Sequence, residues 1–209
     1  TYHPMLREME NDLQGIGRRA GDTVGRALAW LRQQSGRDAF VLVHFFDPHL
    51  PRDPLPEFRR AYPGREYDAE IASMDREIGR LLAGAREIWG SEVTTLVVGD
   101  HGEGLLDHEE ELHGVLLFEE TVRVPMIISG SGIQGGQRRK ELARTIDIAP
   151  TLCELVGLEP LPWSTGTVLP GIEIDHQTSS NVTRDPFDRV AYIETLRPRL
   201  SHGWCELRG

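Results

Sequence analysis

The sequence predicts an α/β fold with a largely parallel sheet flanked by helices. Three observations carry that expectation. Residues 40–46 form a continuous apolar run, as a strand covered on both faces does. Residues 94–99 form a second run, rich in Val and Thr, that stops at Gly99. Around these runs lie stretches with apolar residues at helical spacing, and alternation of strands with helices favours parallel pairing through crossovers.

The elements follow in order. Residues 21–34 carry Val24, Ala27, Leu28 and Leu31 on one helical face. The strand at 40–46 exits sharply at Asp47-Pro48-His49, and residues 50–66, rich in Pro and Arg, read as an irregular surface loop. Residues 68–82 predict an amphipathic helix with Ile71, Met74, Ile78 and Leu81 on its buried face. The strand at 94–99 is followed by one at 124–129, with Pro125 near its start, and then by a glycine-rich turn at 130–136. Asp147 can cap a helix reaching Val156, with Pro150 tolerated in its first turn. Residues 159–188 read as loop, and 190–194 as a short final strand.

The chain has 209 residues, with no internal repeat and no linker that splits it, so one domain over 1–209 is expected. Hydrophobic content of 39%, with 22 Gly and 13 Pro, is that of a globular protein. The net charge of −10 argues against nucleic acid or an anionic membrane as the main partner. There is no apolar run of the roughly 20 residues that a membrane span needs. The chain opens at Thr1-Tyr2-His3 without Met or signal peptide, which predicts a fragment whose start lies upstream. Two cysteines give no disulfide framework; Cys153, in a helical apolar pattern, and Cys205 both read as buried structural thiols. The sequon at Asn181-Val182-Thr183 says little about compartment.

The chemistry concentrates where the second strand ends. Asp100 and His101 sit between Gly99 and Gly102, at the carboxyl end of a strand, where open α/β sheets hold ligands. Oxygen and nitrogen donors at such a rim suit a divalent metal; the alternative is a capping Asp beside a solvated His. His49 follows the first strand, and an imidazole titrating near neutral pH can protonate a leaving oxygen, unless it is merely a surface histidine. His113 follows Glu109, Glu110 and Glu111; it either turns inward to an anion or belongs to a solvated acidic loop. His108 orders that loop, and His44, mid-strand, reads as a satisfied core histidine. Arg52, Arg59, Arg60 and Arg65 could steer an anion but read better as a solvated charge run.

Several segments resemble the sulfatase family of the alkaline-phosphatase-like superfamily. Phe45-Phe46-Asp47-Pro48-His49 is similar to its aromatic-Asp-Pro-His segment, and residues 67–82, from Tyr67-Asp68-Ala69-Glu70 to Gly79-Arg80-Leu81-Leu82, to its following helix. Gly99-Asp100-His101-Gly102-Glu103-Gly104 resembles the metal-binding Ser-Asp-His-Gly-Glu turn, with glycine in place of serine. Phe118-Glu119-Glu120-Thr121-Val122-Arg123-Val124-Pro125 resembles its Tyr-Glu-Glu-x-x-Arg-Val-Pro entry, and Asp147-Ile148-Ala149-Pro150-Thr151-Leu152 the helix start that follows. Pro198-Arg199-Leu200 with Gly203-Trp204 is similar to a late segment of bacterial members. The segments occur in order over roughly residues 20–208; Asp-His-Gly alone is weak, because metallophosphatases share it.

The resemblance implies an alkaline-phosphatase-like fold lacking its N-terminal strands, and a hydrolase of sulfuric esters with one calcium ion. Asp100 and His101 would be two of the metal ligands, His49 the general acid and His113 a sulfate contact. Many relatives place a lysine near His113; Gly114-Val115 stands there instead. The family's nucleophile is a formylglycine made from Cys or Ser in Cys/Ser-x-Pro/Ala-x-Arg, and neither Cys153 nor Cys205 has that context. Nucleophile and paired metal-binding aspartates are expected upstream, which makes this chain the middle and later part of a catalytic domain, inactive by itself. The implied partner is a small sulfated substrate, a sugar or aryl sulfate, and family members are often periplasmic or secreted. Two alternatives stay open: a phosphodiesterase or phosphonate hydrolase of the same superfamily, and a non-catalytic protein that keeps the fold to bind a partner.

Overall fold

The computed structural model describes residues 17–91, 93–159, 161–172 and 189–195. Its helices and strands fall into two compact units, Thr1–Val93 and Thr94–Gly209.

The first unit is helical. Helix α1 (Ala20–Gln33) buries Ala20, Thr23, Val24, Leu28 and Leu31, a stripe spaced three to four residues apart. It packs on the long helix α3 (Glu66–Trp89), where Val24, Leu28, Leu31 and Ala85 form the core, bordered by Phe45, Leu81, Ile88, Trp89 and Val93. Gly84 permits this approach: a Cβ there would lie 2.5 Å from Leu28 Cδ2. Helix α3 stops at Gly90, whose left-handed φ of +64° suits glycine and whose N–H donates to Arg86 O. Between them lies a short helix α2 (Pro56–Ala61), which starts on a proline.

Several expectations need correction here. Residues 50–66 are not all loop, since α2 forms within them. Residues 40–46 form no strand: they pair with no other strand among the described residues, and Phe40 and Leu42 are 77% and 85% exposed. An apolar run becomes a strand only when a neighbouring ladder takes up its N–H and C=O groups. His44 is exposed rather than in the core. On α3 the most buried residues are Ala69, Glu70, Ser73, Glu77 and Ala85, whereas Ile71 is exposed and Met74, Ile78 and Leu81 are half-buried. Small residues let neighbouring chain approach the helix there, and Glu70 and Glu77 are accommodated because each finds a hydrogen-bond donor.

The second unit holds β1 (Thr95–Val98) and β2 (Met126–Ser129), paired antiparallel with Thr95 opposite Ser129 and Val98 opposite Met126. The parallel order expected from the sequence is not seen among the described residues. The reason lies in the connection: between β1 and β2 the chain forms a tight turn at Asp107–Glu109 and the one-turn helix α4 (Glu119–Val122). It then re-enters the ladder beside its exit, where Gly99 N–H meets Pro125 O at 3.2 Å. A parallel return would have to carry the chain back to the other end of β1 before pairing.

Helix α5 (Ile148–Leu155) follows a 3-10 turn at Thr145–Asp147. Asp147 is 0% exposed and collects Arg144, Arg189 and the Thr167 N–H. Thr151 donates to Asp147 O and accepts the Leu169 N–H, tying residues 161–172 to the helix. Cys153 is half-buried rather than buried. Residues 161–172 carry no regular element, as expected of loop, and residues 190–194 form no strand. Asn181, Cys205 and the late segment at 198–204 lie outside the described residues.

Candidate functional site

In the second unit, the chain leaves β1 through Gly99, Asp100, His101 and Gly102. Gly102 is required by a close approach: a Cβ there would run into the backbone oxygen of Glu120, and the Gly102 N–H donates to Thr121 O at 2.8 Å. Asp100 Oδ1 accepts the His101 N–H at 3.0 Å, and Asp100 Oδ2 lies 3.6 Å from His101 Nε2. His101 Nδ1 donates to Gly102 O at 2.8 Å, which fixes the proton on Nδ1 and turns Nε2 toward the carboxylate. Both side chains are open to solvent, 77% and 42% exposed for Asp100 and His101.

His113 joins them. Its ring stacks on His101 with centroids 3.8 Å apart, and its Nδ1 meets Glu103 Oε1 at 2.9 Å. Glu103 is 8% exposed at its side chain, so the carboxylate fixes the imidazole from inside the unit. The loop that brings His113 back is tight. Leu105, Leu106, His108 and Glu109 all have positive φ, and Gly104 sits where a Cβ would strike Glu110 O. Of the two readings open for this loop, the solvated acidic run does not describe Glu110, which is 9% exposed and accepts the Val115 and Leu116 N–H groups at 2.9 and 3.1 Å. Thr195 donates to Gly114 O and closes the loop from the far end of the sequence. His108 orders the loop by pairing with Glu120 at 2.5 Å and stacking on Phe118. Hydrogen bonding at its own backbone, with the His108 contact next, holds the Glu120 carboxyl below its usual range.

Asp100 and His101 suit a divalent ion as two of its ligands: one carboxylate and one imidazole nitrogen converge at a strand end. They do not complete a site. Among the described residues no group of three or more His, Cys, Asp or Glu side chains is placed to hold a metal.

His49 belongs to the first unit. Its N–H donates to Phe46 O at 3.0 Å, its Nδ1 donates to Leu50 O at 2.6 Å, and its ring lies 4.6 Å from that of Phe46. The peptide bonds before Pro48 and Pro51 are both cis. Below the loop lies Glu70, 5% exposed, whose Oε1 accepts the Asp53 N–H at 2.5 Å. Burial, then the charge of Asp47, pushes the Glu70 carboxyl up to about 7, and burial also raises Asp47. Of the arginines read as a solvated run, Arg59, Arg60 and Arg65 are exposed, while Arg52 is half-buried over the Tyr67 ring. A cleft of about 320 Å³ beside α1 is lined by Arg19, Arg76 and Arg80, but all three are engaged with carboxylates, Asp53, Glu57 and Glu77.

Glu70, Glu103 and Glu110 were not singled out in the sequence. Glu103, two residues after His101, and Glu70, in the resembling helix, were legible as motif members, but their pairing partners were not. Glu110 looked like its exposed neighbours.

A strand that ends in Asp-His-Gly, with the His113 imidazole held by Glu103 and stacked on His101, makes this turn the candidate site. The chain belongs to the sulfatase family: the family model described as Sulfatase matches residues 19–158. Arylsulfatase K of Bos taurus is 29% identical over 97 residues, 46% of this chain and 18% of that protein. Choline-sulfatase of Rhizobium meliloti is 31% identical over 109 residues, 50% of this chain and 21% of that protein. The chain thus spans about a fifth of the length of these curated relatives. Among solved structures, the candidate sulfatase yidJ of Bacteroides fragilis aligns with a TM-score of 0.61 at 19% identity, over 66% of this chain and 37% of that one. This likeness shows that the chain shares its fold with that structure.

Proposed function

We propose that this protein hydrolyses small sulfuric esters, of a sugar or an aryl alcohol, with one calcium ion held in part by Asp100 and His101. When bound, the ion supplies positive charge against the sulfate oxygens. His113, with Nδ1 committed to Glu103, presents Nε2 as a contact for a sulfate oxygen. His49, with its Nδ1–H donated to Leu50 O, gives the Nε2 proton of its imidazolium form to the departing alkoxide and is left as the neutral Nδ1–H tautomer. The nucleophile, by the family's chemistry a hydrated formylglycine, is not supplied by these residues.

The observation that carries this reading is the convergence of Asp100, His101 and His113, with the two rings 3.8 Å apart and His113 held by a buried carboxylate. A solvated acidic loop would not need that pairing. The relatives support the ester class: their names include an arylsulfatase, a choline-sulfatase and a Delta 4,5-hexuronate-2-O-sulfatase.

The test uses the complete protein its gene encodes, assayed with 4-nitrophenyl sulfate and with bis(4-nitrophenyl) phosphate. The sulfate is expected to be the better substrate, with activity lost in chelator and restored by calcium. Asp100→Ala is expected to abolish the restoration. Preferential cleavage of the phosphate diester would move the assignment to a phosphodiesterase.

A further inference from the structure

The segment 47–53 carries His49 between α1 and α2 without a strand or helix of its own. Such a segment keeps a side chain in place only if something fixes its ends. Glu70 fastens the second of them. Its Oε1 accepts the backbone N–H of Asp53 at 2.5 Å, while burial and the like charge of Asp47 at the first end raise the pKa of its carboxyl. Arg52, beside Asp53 at that same end, sits 5.0 Å over the ring of Tyr67, three residues before Glu70 on the same helix. Asp53 is tied further to Arg19 and Arg59.

Glu70 is too deeply buried to reach a substrate. Its Oε2 and Asp47 Oδ2 are both buried without a hydrogen-bond partner among the described residues. A helix face built for packing alone would carry an apolar residue here, because a buried carboxyl costs free energy unless its bonds are made. The acid is therefore explained by what it holds.

We propose that Glu70 is the positioning residue for His49, fastening the 47–53 segment to α3 so that the imidazole meets the leaving oxygen. The inference rests on the sulfatase reading, with His49 as general acid. It makes a specific demand: Glu70 matters in proportion to the leaving group's need for a proton. An alkyl or phenyl sulfate expels a basic oxygen that needs the proton, whereas 4-nitrophenyl sulfate expels a stable phenolate that needs it far less.

The experiment compares wild type, Glu70→Ala, Glu70→Asp and Glu70→Gln in the complete protein on phenyl sulfate and 4-nitrophenyl sulfate. Glu70→Ala is expected to lose about tenfold more kcat on phenyl sulfate than on 4-nitrophenyl sulfate, with KM changed little on either. His49→Ala is expected to show the same selectivity, and Glu70→Gln, whose amide oxygen can still accept the Asp53 N–H, to restore it toward wild type. Should Glu70→Ala fail to fold, Glu70→Asp carries the test, since shortening the acid by one methylene is expected to give the same selective loss. Equal losses on the two esters in the Glu70 variants overturn the inference while the sulfatase reading stands. A wild-type protein that cleaves neither ester overturns both.

Discussion

At the scale of single residues, two buried acids behave oppositely. Asp147 is fully enclosed, and burial alone would raise its pKa; hydrogen bonds from Arg144 and Thr167 and the charges of Arg189 and Arg144 prevail and lower it. A carboxyl depressed in the folded state contributes stability above its unfolded pKa and loses it as pH falls through the folded value. Glu70 runs the other way, raised to about 7 by burial and by Asp47, with Arg52, Arg19 and Arg59 only partly offsetting them. Its contribution is full below the unfolded value of 4.5 and is lost as pH rises to about 7. The difference is on the order of 3 kcal/mol at alkaline pH. Glu70→Gln carries no titrating proton, so its thermal midpoint is expected to fall less than that of wild type between pH 5 and pH 8. Parallel pH profiles of wild type and variant would refute the assignment. A sequence shows that Glu70 and Asp147 are acids; it does not show which one is given arginines and which is placed beside another carboxyl.

At the scale of elements, what was legible followed from periodicity and what was not followed from pairing. Helices α1 and α3 announced themselves through Val24, Leu28 and Leu31 and through the run from Asp68, because a helix satisfies its own backbone. The stretch 40–46 was equally apolar, yet a strand needs partners that a local pattern cannot supply. The Asp-His-Gly turn was legible as chemistry, but the stacking of His113 on His101 depended on four positive-φ residues in a loop whose acidic sequence left both an inward and a solvated His113 open. The α1–α3 contact makes a prediction of its own. Leu28 is 5% exposed and fills the space above Gly84. Leu28→Ala is expected to cost about 2–5 kcal/mol in chemical denaturation, since it removes core contacts and leaves a cavity that two helices cannot readily close. A cost near that of an exposed position would mean that the two helices do not form the core of this unit.

At the scale of the whole molecule, the resemblance read from ordered segments over roughly residues 20–208 is the level at which family membership is visible; the family model covers residues 19–158 and not the late segment at 198–204. What the chain's own atoms provide is narrower than that membership. Calcium takes six to eight ligands, mostly oxygens, at 2.3–2.6 Å. Asp100 and His101 offer one carboxylate and one nitrogen, both largely open to water, and no larger donor group occurs among the described residues. Glu103 and Glu110 are already committed, to His113 and to the Val115 and Leu116 N–H groups. On the proposed calcium reading this pair needs further donors, from side chains outside the described residues, from backbone carbonyls or from water. On the proposed sulfatase reading, which places the paired metal-binding aspartates upstream, the 209-residue chain by itself is expected to bind calcium only weakly in isothermal titration, and Asp100→Ala to change that weak binding little. The complete protein is expected to bind tightly and to lose that affinity on the same substitution, because a two-donor fragment of a coordination sphere gains affinity only when the remaining donors are held beside it. Affinity tighter than about 1 μM in the isolated chain would show that it completes a calcium site by itself.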